Sequence, residues 1–552
     1  MGNTRTVMEI PCAGIPNQSS LFLSYLELSP KALSFYQHPP TFKALVELAR
    51  TTSSGAAFRR NELTSILRRQ NDRFGADAEC RRHINVLEQP DCFAVVTGQQ
   101  VGLFSGPLYT IYKAFTAIRI AEELRSRGIR TVPVFWLDTD DHDLAEVTHC
   151  TVVGADSLLR VMDYRQLLFG DVPDSTQPVG AIEFPLTIRQ AIEDYFSLLP
   201  NTEWKDPVRS QLESAYHPGS SFADAFGRLL AQLCAGHGLI LFDPRDSEAK
   251  RLASSVFRSA LEKAGEIHSM LSARNRELAA AEFHSQVSIL ENSTLLFLHE
   301  QGERKALVRE GSDFALKGTA LRFSLSQLLQ VASDTPERFS PNVLLRPIVQ
   351  DSLLPTLCYV GGPGEIAYFA QAEALYRLFN RQMPVIWPRV GLTLLDAEVA
   401  EVMSRYGLAL QDCFRGKDHV LEIMLQASGD VSAGGILTGM QDDLTNAFDE
   451  LRPAMVVAEA SLGPALDTAK RKIFHHLEGL RGKFIHHEAR QNAELLRKAE
   501  LFVNTCYPNK NLQERELGIC YFLSRHSPRV LDAIYSFMKI DSFAHRVAVL
   551  SP

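Results

Sequence analysis

The stretch from Phe93 to Leu137 decides the fold, and it reads FAVVTGQQVGLFSGPLYTIYKAFTAIRIAEELRSRGIRTVPVFWL. Its first five residues are an apolar run typical of a strand, and Gly98–Gly106 is a glycine-spaced loop. The apolar side chains that follow recur at helical spacing: Leu108, Ile111, Phe115, Ile118 and Leu124. Val132–Leu137 is a second strand, and its unbroken hydrophobicity is typical of burial on both faces. Strand, loop, helix and strand in this order predict a right-handed βαβ unit in a parallel sheet.

Two later stretches repeat parts of this order. Gly238–Phe242 is a strand followed by a helix. Leu357–Val360 leads through a second glycine loop, residues 361–365, to a helix near Ile366–Asn380 and a strand at Val385–Trp387. Alternating strands and helices favour an α/β fold with a doubly wound core.

The chain divides into a core, a helical region and a tail. We expect the core over residues 1–390, with one insertion near 151–186 and a second, meander-like one near 283–323. Beyond Leu394 the strand signals nearly vanish, which predicts a helical domain over 391–510. The tail, 511–552, regains aromatic residues, so we expect it to pack back on the core.

A near-heptad pattern lies within the helical region. Its members step by three or four residues: Leu462, Leu466, Ala469, Ile473, Leu477, Leu480 and Phe484. Such a seam predicts a helical hairpin or a short coiled coil, and a plain amphipathic helix packed on its own domain is the alternative.

Composition excludes several classes of protein. The chain has 552 residues and a net charge of −8, so a dense basic surface for nucleic acid is not expected. No run approaches the ~20 apolar residues of a membrane span, and no signal peptide begins the chain, so we expect no membrane partner. Nine cysteines without a C-x-x-C pair indicate reduced thiols in a cytoplasm.

The first glycine loop is a candidate binding site. Gly98, Gly102 and Gly106 match neither a dinucleotide fingerprint nor a P-loop. The loop nevertheless ends a buried strand and precedes a helix, where free N–H groups and the helix dipole favour an anion. Gln99 and Gln100 could bond a polar ligand, and Lys113 could reach a phosphate or carboxylate. A tight turn that simply needs glycine is the alternative.

An acidic cluster follows the second strand, from Asp138 to Asp143. Open α/β sheets bind ligands at this edge, so Asp141, His142 and Asp143 are candidate catalytic residues, with His142 as an oriented acid/base. Crowded carboxylates repel one another, so one pKa should rise or a cation should be held. Mg²⁺ is conceivable here, although we assign no metal ligands and leave the metal requirement open. A solvated acidic turn that caps the next helix is the alternative.

The second glycine loop repeats this geometry at another strand end. Gly364 and Glu365 are candidate substrate contacts, although a carboxylate at a helix start is equally explained as a cap. Asn342 and Arg346 lie upstream, and Arg389 closes the following strand. Arginines near strand ends are good carboxylate clamps, so the set suggests a pocket for a small acidic metabolite.

Five blocks of sequence carry a resemblance to a known family. They are Val95–Lys113, Pro133–Glu146, Arg338–Pro347, Pro355–Tyr368 and Met383–Arg389. In this order, and across a chain of this length, they resemble the bacillithiol synthase family, the BshC cysteine ligases. That resemblance implies a Rossmann-like core with connecting-peptide insertions and a helical coiled-coil domain associated with a homodimer.

The resemblance also implies an activity. Members join L-cysteine to glucosaminyl-malate by forming an amide, which makes the protein a carbon–nitrogen ligase. ATP or ADP is the implied nucleotide, and His142 would act on the cysteine amine. The chain departs from its relatives at Asp138-Thr-Asp140, where a small residue and a Glu are usual. A nucleotide-dependent ligase for another amine and acid, or a non-catalytic helical dimer that scaffolds the pathway, stays an alternative.

Overall fold

The computed structural model describes residues 5–52, 58–170, 176–428 and 433–550. Its strands are β1 (Arg5–Ile10), β2 (Phe93–Gln100), β3 (Thr131–Asp138), β4 (His149–Val153), β5 (Leu159–Asp163), β6 (Ile240–Phe242), β7 (Ser293–Glu300), β8 (Glu303–Glu310), β9 (Asp313–Leu316), β10 (Arg322–Phe323), β11 (Phe339–Pro341), β12 (Thr356–Gly361), β13 (Val385–Pro388), β14 (Leu392–Leu395) and β15 (His545–Val549).

The α-helices are α1 (Ser20–Leu26), α2 (Pro30–Leu33), α3 (Phe42–Thr51), α4 (Arg60–Arg73), α5 (Ala78–Leu87), α6 (Tyr109–Ser126), α7 (Leu144–Val147), α8 (Arg165–Phe169), α9 (Ile188–Ser197), α10 (Lys205–Ala215), α11 (Phe222–Leu233), α12 (Ser247–Glu262), α13 (Ala264–Ala280), α14 (Leu325–Asp334), α15 (Arg346–Leu353), α16 (Pro363–Leu378), α17 (Ala397–Tyr406), α18 (Leu410–Phe414), α19 (Lys417–Ala427), α20 (Ala433–Ala458), α21 (Leu462–Gln491), α22 (Ala493–Cys506), α23 (Gln513–Glu516), α24 (Ile519–Arg525) and α25 (Val530–Phe537).

A five-stranded parallel sheet forms the centre of the molecule, in the order β13-β12-β2-β3-β6. Its middle is the predicted β2–α6–β3 unit, so the α/β class is confirmed. Residues 93–98 of β2 and 131–137 of β3 are buried. Side chains alternate between the faces, with Val95 in one apolar cluster and Val96 in another. Burial on both faces explains the unbroken apolar runs of the sequence.

The loop between β2 and α6 is tighter than its sequence suggests. Strand β2 continues to Gln100, and α6 begins only at Tyr109. Between them Phe104, Ser105 and Gly106 all have positive φ, of 53°, 78° and 65°. Glycine adopts such angles without strain, so the turn requires Gly106 for its shape.

Both insertions contain antiparallel strands. In the first, β4 pairs with β5. In the second, the strand order is β10-β9-β8-β7-β11, so the expected meander begins at Ser293 and gains a strand from Phe339–Pro341. This second sheet brings Arg304 and Pro341 to the edge of the central sheet, as described below.

The expectation that strands nearly vanish after Leu394 is wrong in one respect. β1, β15 and β14 form a separate three-stranded sheet, in which β1 and β15 are antiparallel. The side chain of Arg546 in β15 is buried and donates from Nε to Glu9, 2.9 Å away. Nearer the core, the N–H of Leu108 donates to Leu517 O at 2.8 Å, so the tail contacts the first glycine loop.

Helices α20 and α21 form an antiparallel hairpin, as its cross-helix contacts show. Arg452 pairs with Asp467, Lys470 with Asp449, and Gln441 donates to Glu478. Of the expected seam, Leu466 is buried, whereas Ile473 and Leu480 are 39% and 55% exposed. The hairpin therefore leaves part of the apolar pattern uncovered. Among the described residues, no helix has the length and apolar content to cross a membrane.

Candidate active site

The main cavity, of about 580 Å³, lies at the carboxyl ends of β2, β3, β12 and β13. Eleven of the fourteen predicted site residues line it: Gly98, Gln99, Gln100, Lys113, Asp141, His142, Asn342, Arg346, Gly364, Glu365 and Arg389. The two glycine loops and the acidic cluster thus meet in one place, as parallel strands with a common edge require. Asp143, Gly102 and Gly106 do not line this cavity.

Lys113 joins the two glycine loops beneath the cavity. Its buried ammonium donates to Gly98 O and Gln99 Oε1, both 2.9 Å away, and pairs with Glu365 at 2.5 Å. Burial would raise the pKa of Glu365, but Lys113 and the N–H of Gly362 hold it below its ordinary value. Three acceptors occupy the three N–H donors, so Lys113 fixes the loops instead of extending towards a ligand as the sequence suggested.

The carboxylates of the acidic cluster point to different partners. Asp140 pairs with Lys250, Asp141 accepts a hydrogen bond from Gln100, and exposed Asp143 caps α7 by accepting from the N–H of Glu146. Asp143 is therefore a helix cap, which is the alternative that the sequence left open. Among the described residues, no group of three or more His, Cys, Asp or Glu side chains could hold a metal ion.

Asp138, at the end of β3, is the carboxylate that sequence reasoning missed. It lines the main cavity, and its carboxylate has no hydrogen bond or ion pair to any described residue. Burial, and then the charge of Asp141, raise the pKa of Asp138 to about 6, against the opposing pull of Arg346 and Arg304. The expected rise of one pKa in the cluster is thus found at Asp138. A group that titrates near neutrality can take up a proton during a reaction.

His142 is held by an arginine from the second insertion. Arg304 donates from Nη1 to Nδ1 of His142 at 2.9 Å, while its other nitrogens donate to Ser340 Oγ and Pro341 O, also at 2.9 Å. Burial, and then Arg304, lower the pKa of His142. Because a guanidinium only donates, Nδ1 must accept, so the imidazole is neutral with its proton on Nε2. In this state His142 offers a hydrogen-bond donor.

The two predicted arginine clamps differ in their partners. Arg346 donates to Gln350 Oε1 at 2.8 Å and to the hydroxyls of Tyr359 and Tyr368 at 3.1 and 2.8 Å. It has no carboxylate within ion-pair distance among the described residues. Arg389 instead pairs with Glu514 of the tail at 2.5 Å. Of these two arginines, Arg346 is therefore the one that lines the cavity without a carboxylate in direct contact, although Asp138 and Glu365 lie near enough to act on its charge.

A second, smaller cavity adjoins the first, and we call it the small chamber. It has a volume of about 240 Å³, and Gly102 and Gly106 line it. The residues that line both cavities are Gln99, Gln100, Tyr109 and Arg515. Arg515 was missed because it lies in the tail, far in sequence from every strand end.

A parallel α/β sheet with a polar cavity at its carboxyl edge defines a Rossmann-like class of ligand-binding protein. Family comparison agrees and is more specific. Residues 8–390 match the family described as "Bacillithiol biosynthesis BshC, N-terminal Rossmann-like domain", and residues 392–550 match "Bacillithiol biosynthesis BshC, C-terminal coiled-coil domain". The chain belongs to the BshC family of bacillithiol biosynthesis, which confirms the resemblance seen in the sequence.

Curated relatives support this over nearly the whole chain. A protein of Koribacter versatilis is 36% identical over 95% of this chain and 96% of its own length. Relatives from Solibacter usitatus and Salinibacter ruber are 35% and 32% identical, over 97% and 98% of this chain and 98% of each relative. Each carries the name "Putative cysteine ligase BshC".

Proposed function

We propose that this protein is a cysteine ligase that joins L-cysteine to glucosaminyl-malate through an amide bond. One observation carries the proposal: Asp138, whose carboxylate has no hydrogen-bond partner among the described residues, and Arg346, which has no ion pair among them, line the same cavity. An acidic substrate needs a buried cation for its carboxylate, and an amine that is to be acylated needs a base. The names of the relatives support cysteine as one substrate, and glucosaminyl-malate is the second substrate that the family resemblance implies.

Asp138 is the better base for the attacking amine. We assign that amine to the glucosaminyl unit, not to cysteine as the sequence suggested, because an amide formed with the carboxyl group of cysteine takes its nitrogen from the other substrate. Its nitrogen attacks the activated carboxyl carbon of cysteine, the C–N bond forms, and the bond to the activating group breaks. The amine proton passes to Asp138, while the Nε2–H of His142 donates to the oxygen that gains negative charge.

A nucleotide would activate the carboxyl group of cysteine as an acyl phosphate or as an acyl adenylate. The cavity volume lies within the range of roughly 300–1,000 Å³ typical of small-molecule sites. Two features fit such a ligand: the buried indole Nε1 of Trp136 has no partner, and Gly362 and Gly364 line the cavity at the start of α16. A helix N-terminus favours phosphate, so these residues would hold ATP or ADP.

We also infer that the helical hairpin forms a homodimer contact. Its exposed apolar side chains include Leu451, Val457, Ile473 and Leu480, of which Val457 is 88% exposed. A second copy of the hairpin would cover these side chains and remove apolar surface from water.

Product analysis with purified protein tests the ligase proposal. ATP, Mg²⁺, L-cysteine and glucosaminyl-malate should yield a new thiol with the mass of the two substrates less one water. Release of AMP or of ADP identifies the mode of activation. Arg346→Gln should raise the KM for glucosaminyl-malate at least tenfold. If neither AMP nor ADP is released and no thiol product forms, the proposal is wrong.

A further inference from the structure

We propose that the small chamber binds the amino-acid substrate as a zwitterion, while the main cavity takes the sugar acid. This inference rests on the proposed function, and it assigns a place to one of its two substrates. The chamber is smaller than the roughly 300 Å³ at which drug-sized sites begin, so it suits a ligand of a few heavy atoms.

Charges of both signs at the chamber lack partners. Glu146 and Glu516 line it, and neither has an ion pair with any described residue. Their contacts are neutral: Gln100 donates to Glu146 at 2.8 Å, and Asn511 donates to Glu516 at 3.0 Å. Arg515 is exposed and has no side-chain hydrogen bond or ion pair within the described ranges. Two carboxylates that have no ion pair and one guanidinium without a side-chain partner, within the described ranges, complement an ammonium and a carboxylate on the same small molecule.

The remainder of the lining suits a short uncharged side chain. Leu103, Phe104 and Tyr195 are buried and mainly apolar, and burial raises the pKa of Cys150, so its thiol is neutral. Thr151 lines the same chamber, is 2% exposed as a residue, and its buried hydroxyl has no partner among the described residues. A buried hydroxyl without a partner is costly, and a polar atom of a bound ligand would satisfy it.

The position of Arg515 connects this chamber to the chemistry. Its side chain lines both cavities, so a carboxylate bound by it lies at their junction. The carboxyl carbon of the amino acid then faces the main cavity, where the proposed amine and Asp138 lie. Holding two reactants in this order converts a bimolecular step into one within a single complex.

Calorimetric titration of the full chain with L-cysteine tests the assignment. Arg515→Gln and Glu146→Gln should each raise the dissociation constant for L-cysteine at least tenfold. The matched control is Arg251→Gln, since Arg251 is also exposed and unpaired among the described residues but lies on α12, away from both cavities. The control should bind within about twofold of the wild type. Equal binding by all four proteins, or weakening in the control as well, would overturn the assignment.

Steady-state kinetics separates this inference from the proposed function. Glu146 lines only the small chamber, so Glu146→Gln should raise the KM for L-cysteine and leave that for glucosaminyl-malate within about threefold. A selective rise for glucosaminyl-malate would overturn the chamber assignment while the ligase function stood. If the wild type made no thiol product, the ligase function would fail, and the calorimetric result would still decide whether the chamber binds the amino acid.

Discussion

Replacing Asp138 with Asn should make the protein more stable and less active. In the fold the pKa of Asp138 rises from 3.8 to about 6, so the folded state favours the protonated carboxyl. Ionisation of Asp138 therefore destabilises the folded state. This destabilisation is complete above pH 6 and absent below about pH 4. A pKa shift of about two units corresponds to a destabilisation of about 3 kcal/mol above pH 6, and of roughly half that amount at pH 5. Asn is neutral and of similar shape, so it removes this cost.

Two measurements check this expectation. At pH 8 the Asp138→Asn variant should melt roughly 2–3 °C above the wild type. This shift is the gain of about 3 kcal/mol divided by the unfolding entropy of a chain of this size. At pH 5 the difference in melting temperature should be smaller. Loss of the base should lower kcat/KM by about 10²–10⁴. Wild-type kcat/KM should fall below pH 6, and the variant should lose that dependence.

Asp138→Glu serves as the control, because it keeps a carboxylate and should recover much of the activity. A variant that melts below the wild type at pH 8 would contradict the burial argument. An acidic limb unchanged in Asp138→Asn would assign the base to another group, even if the stability result held.

Three further perturbations follow from the described contacts. Lys113→Met should lower the free energy of unfolding by about 3–5 kcal/mol, because it leaves Glu365 buried without a countercharge. Adding Glu365→Gln should restore part of this stability, as measured by thermal denaturation. If the double variant recovers none of it, the ion pair does not stabilise the fold. Asp143→Ala should lower the free energy of unfolding by about 1 kcal/mol because the helix cap is lost, as measured by urea denaturation. If kcat/KM falls by more than the fraction of folded protein, Asp143 takes part in the reaction. Leu480→Glu should raise the dimer dissociation constant at least tenfold in sedimentation, and an unchanged dimer would place the interface elsewhere.

The central sheet was predictable because burial on both faces leaves an unbroken apolar run at each strand. The sheet formed by β1, β15 and β14 was not, since its strands are short and one carries a buried arginine. The buried Arg546 donates to Lys539 O, but the carboxylate that balances its charge belongs to Glu9, 537 residues away in the sequence. No local pattern in the sequence contains that pairing.

The same distinction applies to the candidate site. Residues at strand ends, such as Gln100 and Arg389, could be predicted to meet because topology alone brings strand ends together. Arg304 lies in an insertion and Arg515 in the tail, so only tertiary packing brings them to the main cavity. Asp138 was visible in the sequence, but its importance depends on burial and on the lack of a partner. The catalytic roles and the domain boundaries stay predictions.

The pairing of β1 with β15 has a consequence for how the chain folds during synthesis. β1 leaves the ribosome well before β15, the strand that it pairs with, which is made more than five hundred residues later. Until then the edge of β1 is exposed, as is the position of Glu9 opposite Arg546. Vectorial folding can therefore complete the central sheet but not this one. We expect the pairing of β1 with β15 to follow the formation of the central sheet, and a product that is stalled or truncated before β15 would lack it.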